Sequence, residues 1–148
     1  MDDQEILKLF KNASRFKREG KRTADASRVL SAISEEWRRR LEAAERGHYK
    51  AMLPNVGMLK TLGYAVGENG VKTKLRREIL DYIMEGPLPI VASPAYTFEW
   101  GEPLTKARYD KLTRSLRAFI DGGENREGME KAIIEWMEDL EYIETEYS

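Results

Sequence analysis

The stretch that most constrains this fold is residues 86–103, GPLPIVASPAYTFEWGEP, which holds four of the five prolines in the chain. Proline fixes φ at about −65° and has no backbone N–H, so a continuous helix cannot run through this stretch. An irregular segment rich in large apolar side chains is expected to be buried, because exposing them to water is unfavourable. We therefore predict that it packs across the neighbouring helices and buries four of its side chains, Ile90, Val91, Phe98 and Trp100.

The chain has 148 residues, which suits one domain, and 34% of them are charged while 41% are hydrophobic. These proportions are typical of a helix-rich globular protein and not of a disordered chain. No apolar run approaches the ~20 residues that a membrane-spanning helix needs, and the N-terminus lacks the residue order of a signal peptide. The absence of cysteine excludes disulfides and cysteine-based sites. We predict one cytoplasmic domain over residues 1–148, without a membrane partner.

Outside residues 86–103, apolar side chains recur at intervals of three and four, the spacing of amphipathic helices. Glycine or proline separates most of these segments. The predicted helices cover residues 2–18, 23–46, 56–62, 72–85, 103–120 and 125–147. Asp121, Gly122 and Gly123 are predicted to form the turn before the last helix. The sequence thus predicts an all-α fold, a single compact bundle of five or six helices with the proline-rich segment packed across it.

A glycine-rich segment, residues 63–70 (GYAVGENG), precedes the fourth predicted helix, whose first turn is basic. Loops of this kind can cradle phosphate groups at a helix start. This segment lacks the GxxxxGK[ST] pattern, and no strand clearly precedes it. We interpret it as a turn that connects helices, and we predict no cofactor.

The formal net charge of −1 conceals a gradient along the chain. Residues 1–77 contain 18 Lys and Arg against 10 Asp and Glu, a charge of +8, whereas residues 78–148 contain 7 against 16, a charge of −9. The basic half could neutralise the phosphates of DNA or RNA. Alternatively, its charges are solvated, or they dock on the acidic last helix of the same chain or of a neighbour. The candidate nucleic-acid-binding residues are Lys8, Lys11, Arg15, Lys17, Arg18, Lys21, Arg22, Arg38, Arg39, Lys72, Lys74, Arg76 and Arg77.

The last predicted helix repeats large apolar residues at spacings of 4, 3, 4 and 3. Its remaining face is acidic, since residues 121–148 contain ten acidic and two basic residues. Such a repeat either packs into the core of the bundle or forms a seam with a second copy or with a partner protein. The candidate residues for this interaction helix are Met129, Ile133, Trp136, Leu140 and Ile143.

Two features of the sequence are candidates for a catalytic or metal site. His48 is the only histidine and has no HxxxH or HExxH partner, so the sequence predicts no metal site. Glu99 and Glu102 flank Trp100 in apolar surroundings, which can raise the pKa of a carboxyl group and suit a hydrolase with two carboxylates. The alternative is that one of them caps the following helix and the other is solvated. No catalytic residue is assigned.

Short motifs follow one another in a characteristic order: LGYAVGENG, RREIL, EGPLP, SPAY, EWGEP, KARYDKLTRSLRAF and AIIEWMEDLEYI. Over residues 62–143 they resemble a recurrent bacterial domain of unknown function. Similar segments occur in proteins linked to DNA processing or phage defence, so the resemblance implies a bacterial or phage protein in that setting. The family has no established catalytic residues that could be transferred to this chain.

Together these features favour a non-catalytic accessory or interaction protein that contacts nucleic acid through its basic N-terminal half. The second hypothesis is a protein-only adaptor or inhibitor that binds a basic partner through its acidic C-terminal helix. A homodimer through that helix is a further arrangement. A small hydrolase that uses Glu99 and Glu102 is the least favoured hypothesis.

Overall fold

A computed structural model of the chain describes residues 1–48 and 53–148, and within those ranges helices are the regular secondary structure. The all-α class predicted from the sequence is confirmed. One more helix is present than predicted, because Pro94 opens a short helix inside the proline-rich stretch, where proline is well tolerated at a helix start. The described helices are α1 Asp3–Arg18, α2 Thr23–Glu45, α3 Met58–Thr61, α4 Thr73–Glu85, α5 Pro94–Phe98, α6 Lys106–Glu124 and α7 Glu130–Tyr147.

The chain forms two compact units, and it passes from one to the other three times. Unit 1 consists of Met1–Leu62 and Gly86–Phe98, and unit 2 consists of Gly63–Glu85 and Glu99–Ser148. The single domain expected over residues 1–148 stays a prediction. Among the described helices, none is both long enough and apolar enough to cross a membrane.

In unit 1, α1 and α2 pack against each other. The Phe10 ring lies 5.1 Å from the ring of Trp37, which is 1% exposed. A buried ion pair closes the same contact, with Arg40 Nη1 donating to Asp3 Oδ1 at 2.6 Å. Asp2 caps α1 through Oδ1, which accepts a hydrogen bond from the Glu5 backbone N–H at 2.8 Å.

The proline-rich stretch contributes to the core of unit 1, as predicted for Ile90 and Val91. Val91 pairs with Leu53 in an isolated parallel β-bridge. The prediction that Phe98 is buried is wrong, because its side chain is 38% exposed. The neighbouring Thr97 points inward and accepts a hydrogen bond from the Val91 backbone N–H at 3.1 Å. Since successive helical residues point about 100° apart, this orientation turns Phe98 towards solvent.

In unit 2, α6 packs along α7, and α4 contacts both of them. Trp100, the last residue of the predicted apolar set, is 1% exposed in this unit. The turn predicted at residues 121–123 is wrong, because α6 continues to Glu124. Gly123 lies in the α6–α7 contact, where a Cβ atom would approach Trp136 Cζ3 to 2.9 Å. Close helix packing therefore accounts for a glycine that the sequence alone suggests as a turn residue. The central buried side chains include Leu80, Leu112, Leu116 and Ile143.

The two adjacent glycines of α6 give a prediction about packing. A Gly123→Ala substitution places its Cβ against Trp136 and Ile133, and we expect it to lower the free energy of unfolding by about 1–3 kcal/mol. Gly122→Ala is the matched control, because its Cβ would meet nothing within 4 Å. That variant should gain up to about 0.5–1 kcal/mol from helix propensity. Urea denaturation followed by circular dichroism measures both, and equal effects of the two substitutions would contradict the packing role of Gly123.

Two of the described helices begin three or more residues later than predicted. Pro103 precedes α6 instead of starting it, and Thr105 caps the helix by accepting a hydrogen bond from the Arg108 backbone N–H at 3.3 Å. The last helix starts at Glu130, five residues after the predicted start at residue 125. The cause is Gly128, whose φ of +75° places the preceding chain outside helical geometry.

Candidate nucleic-acid interface

Four basic residues of α1 form one row, which we call the α1 stripe: Lys8, Lys11, Arg15 and Arg18. They follow one another at intervals of three, four and three residues, which keeps them within an arc of about 80° around the helix. The first three are exposed, and Arg18 is half-buried. Lys8 and Lys11 make no ion pair with any residue that the structure describes. α1 contains five basic and two acidic residues, a charge of +3.

The other predicted basic residues near the end of α1 do not extend this row. Lys17 is two residues from Arg15 and therefore lies on the opposite side of the helix. Lys21 is exposed and pairs with Glu19 at 3.7 Å. Arg22 is exposed and pairs with Asp25 at 3.5 Å. Of the basic residues in this part of the chain, Lys8 and Lys11 are thus exposed on one side of α1 without an ion pair to any described residue, and Lys17 is exposed on the other side.

The predicted arginines of α2 are exposed, but acidic residues one turn earlier compensate them. Arg38 Nη1 lies 2.5 Å from Glu35 Oε1, and Arg39 pairs with Glu36 in the same way. α2 as a whole contains four basic and five acidic residues, a charge of −1. This helix therefore contributes little net positive charge to an interface, and the compensating carboxylates belong to α2 itself and not to the acidic last helix.

The basic cluster at the start of α4 belongs to unit 2, and it divides into exposed and buried members. Lys72, Lys74 and Arg77 are exposed, and the Arg77 guanidinium lies 4.7 Å from the centre of the Tyr142 ring. The prediction that Arg76 contacts nucleic acid is wrong, because that residue is only 1% exposed. Its guanidinium binds carboxylates inside unit 2 and cannot reach a phosphate in solvent.

Arg76 is the centre of a buried polar network, which we call the Arg76 cluster: Tyr64, Arg76, Glu135 and Asp139. Arg76 Nε donates to Asp139 Oδ2, and Arg76 Nη1 donates to Glu135 Oε2, both at 2.8 Å. The Tyr64 hydroxyl donates to the same Asp139 oxygen at 2.6 Å. Burial lowers the pKa of Arg76, but the hydrogen bond and charge of Asp139 outweigh that effect and raise it. Arg76 therefore stays charged, and burial beside Asp139 raises the pKa of Tyr64 so that it remains a donor.

The glycine-rich segment is tied to this cluster. The Gly67 backbone N–H donates to Glu135 Oε1 at 2.7 Å, so this amide binds a carboxylate of the chain itself and is not available to a phosphate. The Val71 carbonyl accepts from Arg76 Nη1 at 3.0 Å. The first contact joins the segment to α7, and the second joins Val71, directly after the segment, to α4. These bonds agree with its interpretation as a connecting turn.

A second group of polar contacts joins α4 to the end of α7. The Tyr142 hydroxyl lies 2.8 and 2.9 Å from the two Asp81 carboxylate oxygens. The Tyr147 hydroxyl lies 2.8 Å from Asp81 Oδ1 and 2.5 Å from Glu85 Oε2. Burial, with these carboxylates, raises the pKa of Tyr147 and raises the pKa of Tyr142 to about 12.

The tyrosine contacts predict a loss of stability in alkaline solution. The pKa of Tyr142 rises from 10.0 to about 12 on folding. The contribution of Tyr142 to the free energy of unfolding is therefore fully present below pH 10 and is lost as the pH rises through about 12. Tyr142→Phe has no such proton, so the stability difference between this variant and the wild type should shrink over that range. Urea denaturation at a series of pH values measures it, and a constant difference would contradict the prediction.

Four of the five candidate residues of the interaction helix lie on the side of α7 that packs within unit 2, and Met129 directly precedes the helix and is half-buried. Ile143 is fully buried, and Ile133 and Trp136 surround Gly123 of α6. The Trp136 ring also lies 5.6 Å from the ring of Phe119. Their position favours the core interpretation over a seam with a second chain.

The structure does not bring the remaining candidates into a catalytic arrangement. Glu99 and Glu102 are both exposed, and Glu99 Oε2 pairs with Lys111 Nζ at 3.2 Å. The apolar surroundings expected for the two carboxylates are therefore absent. His48 is exposed, and its backbone N–H donates to the Ala43 carbonyl at 2.9 Å. In the described ranges, no group of three or more His, Cys, Asp or Glu side chains could hold a metal ion.

The sequence interpretation missed the acidic members of the Arg76 cluster. A signal for them exists, because Asp139 lies seven residues after the buried Ala132 and four before the buried Ile143. A charged residue at a core position of a helix needs a buried partner.

Comparison of the chain with protein-family models, curated proteins and solved structures finds no match.

Proposed function

We propose that this chain is a non-catalytic accessory protein that contacts the phosphate backbone of nucleic acid through the α1 stripe. The observation that carries this proposal is the row of basic side chains on one side of a helix, of which Lys8 and Lys11 are exposed and without ion pairs among the described residues.

The dimensions of the α1 stripe suit a phosphate backbone. Lys8 and Arg18 are ten residues apart, a distance of about 15 Å along the helix axis. One strand of duplex DNA carries a charge every ~3.4 Å, so this length corresponds to about four phosphates. Contacts with phosphates position a protein but carry no direct sequence information. The proposed binding is therefore independent of base sequence.

Salt dependence tests the proposal directly. We expect labelled duplex DNA or RNA to bind at about 50 mM salt, and three or four phosphate contacts should weaken affinity by about 40- to 150-fold at about 200 mM. Single strands, titrated in parallel, distinguish the preferred form. The measurement is fluorescence anisotropy, with the oligomeric state monitored alongside.

A pair of charge-reversal variants locates the binding face. Lys8→Glu with Lys11→Glu should weaken binding at least about tenfold and reduce the logarithmic salt slope by about two. The matched control, Lys106→Glu with Arg114→Glu, changes the total charge equally at exposed positions of α6. Equal losses in the two variants, or no binding by the wild type at about 50 mM salt, would overturn the proposal.

A further inference from the structure

The solvent-facing side of α7 exposes two large apolar side chains. Ile134 is 58% exposed and Met137 is 55% exposed. They are three residues apart and therefore adjacent on the helix surface. They differ from the predicted interaction residues, since Ile133 and Trp136 precede them by one position and face α6. α7 thus has an apolar surface in addition to the one that packs within unit 2.

Carboxylates border this apolar pair. Glu130 and Glu138 lie four residues before and after Ile134, and Glu141 lies four residues after Met137. All three are exposed, and none forms an ion pair within the part of the chain that the structure describes. By contrast, three acidic residues on other sides of α7 have partners: Glu135 and Asp139 bind Arg76, and Glu144 binds Arg117. Lys131, three residues before Ile134, is the one basic residue of α7, so this surface keeps a net negative charge.

The total charge of α7 indicates what kind of surface would bind there. The helix contains seven acidic residues and one basic residue, Lys131, and the three carboxylates paired with arginines leave four against that lysine. A second copy that packed through the same face would bring two sets of carboxylates together, which is unfavourable. A cationic partner would gain electrostatic attraction together with burial of Ile134 and Met137.

We propose that the exposed face of α7 is a docking site for a basic amphipathic helix of a partner protein. The apolar residues of that helix would pack on Ile134 and Met137, and its Lys or Arg residues would meet Glu130, Glu138 and Glu141. Methionine suits such a contact because its flexible side chain adapts to differently shaped partners. This site lies on a different unit from the α1 stripe and does not depend on nucleic-acid binding.

Synthetic peptides of defined pattern test this docking site. The probe is a labelled amphipathic peptide with leucines at helical spacing bordered by lysines, titrated against the full chain by fluorescence anisotropy. One control peptide has the same composition in scrambled order, and another has glutamates in place of the lysines. We expect the first peptide to bind at least about tenfold more tightly than either control. Equal binding of the scrambled peptide would mean simple charge attraction and would overturn the proposal.

Variants of the full chain assign the binding to this face. Ile134→Ser with Met137→Ser should weaken the probe about tenfold or more, and Glu138→Lys with Glu141→Lys should weaken it by a similar factor. Leu104→Ser is the control, because it removes an exposed apolar side chain, 63% exposed, elsewhere in unit 2. Circular dichroism checks that each variant is folded. Unchanged affinity in the serine variant, or no binding of the probe to the wild type, would overturn the proposal.

Discussion

Replacing Arg76 by methionine is expected to lower the free energy of unfolding by about 3–5 kcal/mol, the usual cost of removing one partner from a buried ion pair. Methionine fills similar space, but it cannot donate to the carboxylates that Arg76 binds at 2.8 Å. Asp139, which is 0% exposed, would keep only the Tyr64 hydroxyl among its described donors. The carboxylate would then be buried without a compensating positive charge, and this accounts for the size of the loss.

The adjacent arginine provides a matched control for this prediction. Arg77 is exposed and contacts the ring of Tyr142, so Arg77→Met should cost no more than about 0.5–1 kcal/mol. Urea denaturation followed by circular dichroism gives both values. Equal stability losses in the two variants would show that burial of the guanidinium is not what makes Arg76 important.

A double-variant cycle separates the ion pair from other effects of the substitution. Asp139→Asn should also be destabilising, because it leaves Arg76 with one fewer charged acceptor. Since the two residues interact directly, the double variant should lose less stability than the sum of the single variants. Simple additivity would mean that the 2.8 Å contact contributes no coupling energy.

The helices and their class could be predicted from local patterns in the sequence. The apolar spacing of α1 and its cap at Asp2 depend on interactions within a few residues, and the structure contains both. Gly122 and Gly123 were misplaced for the opposite reason. The reason for a glycine at position 123 is its contact with Trp136 of another helix, which no local pattern contains.

The candidate binding surface was predicted only in part. The compensation of α2 is readable from the sequence, because Glu35 and Glu36 stand three residues before Arg38 and Arg39, a spacing that favours ion pairs. Counting basic residues without their acidic neighbours therefore overestimates the surface. The burial of Arg76 has a weaker signal, since it lies three, four and seven residues before the buried Ile79, Leu80 and Ile83. Its partners are 59 and 63 residues away along the chain, beyond local patterns.

Arg108, like Arg76, is a buried arginine. Replacing it by methionine is expected to lower the free energy of unfolding by about 2–4 kcal/mol. Arg108 belongs to the same helix as the exposed Lys106 and Arg114, yet it is 2% exposed. Its guanidinium donates to the carbonyl oxygens of Ile83 at 2.5 Å, Gly101 at 2.8 Å and Trp100 at 3.2 Å. These bonds join α6 to the last turn of α4 and to the segment that precedes α6.

Two opposing effects determine the size of that loss. Each acceptor left without its donor costs about 1–3 kcal/mol, but removing the charge also relieves the desolvation that lowers the pKa of Arg108 to about 10. The net cost should therefore be smaller than the sum over the three carbonyls. Arg114→Met, at an exposed position of α6, is the control and should change stability by no more than about 0.5 kcal/mol.

Arg108→Lys distinguishes the geometry of the guanidinium from its charge. Lysine keeps the positive charge, but its single ammonium group lacks the planar fork that allows Arg108 to reach three carbonyl oxygens. We expect this variant to lose nearly as much stability as Arg108→Met in the same urea denaturation. Amide hydrogen exchange should locate the loss at the end of α4, next to Ile83. Full stability in the lysine variant would mean that charge alone is sufficient and that the three-carbonyl geometry is not required.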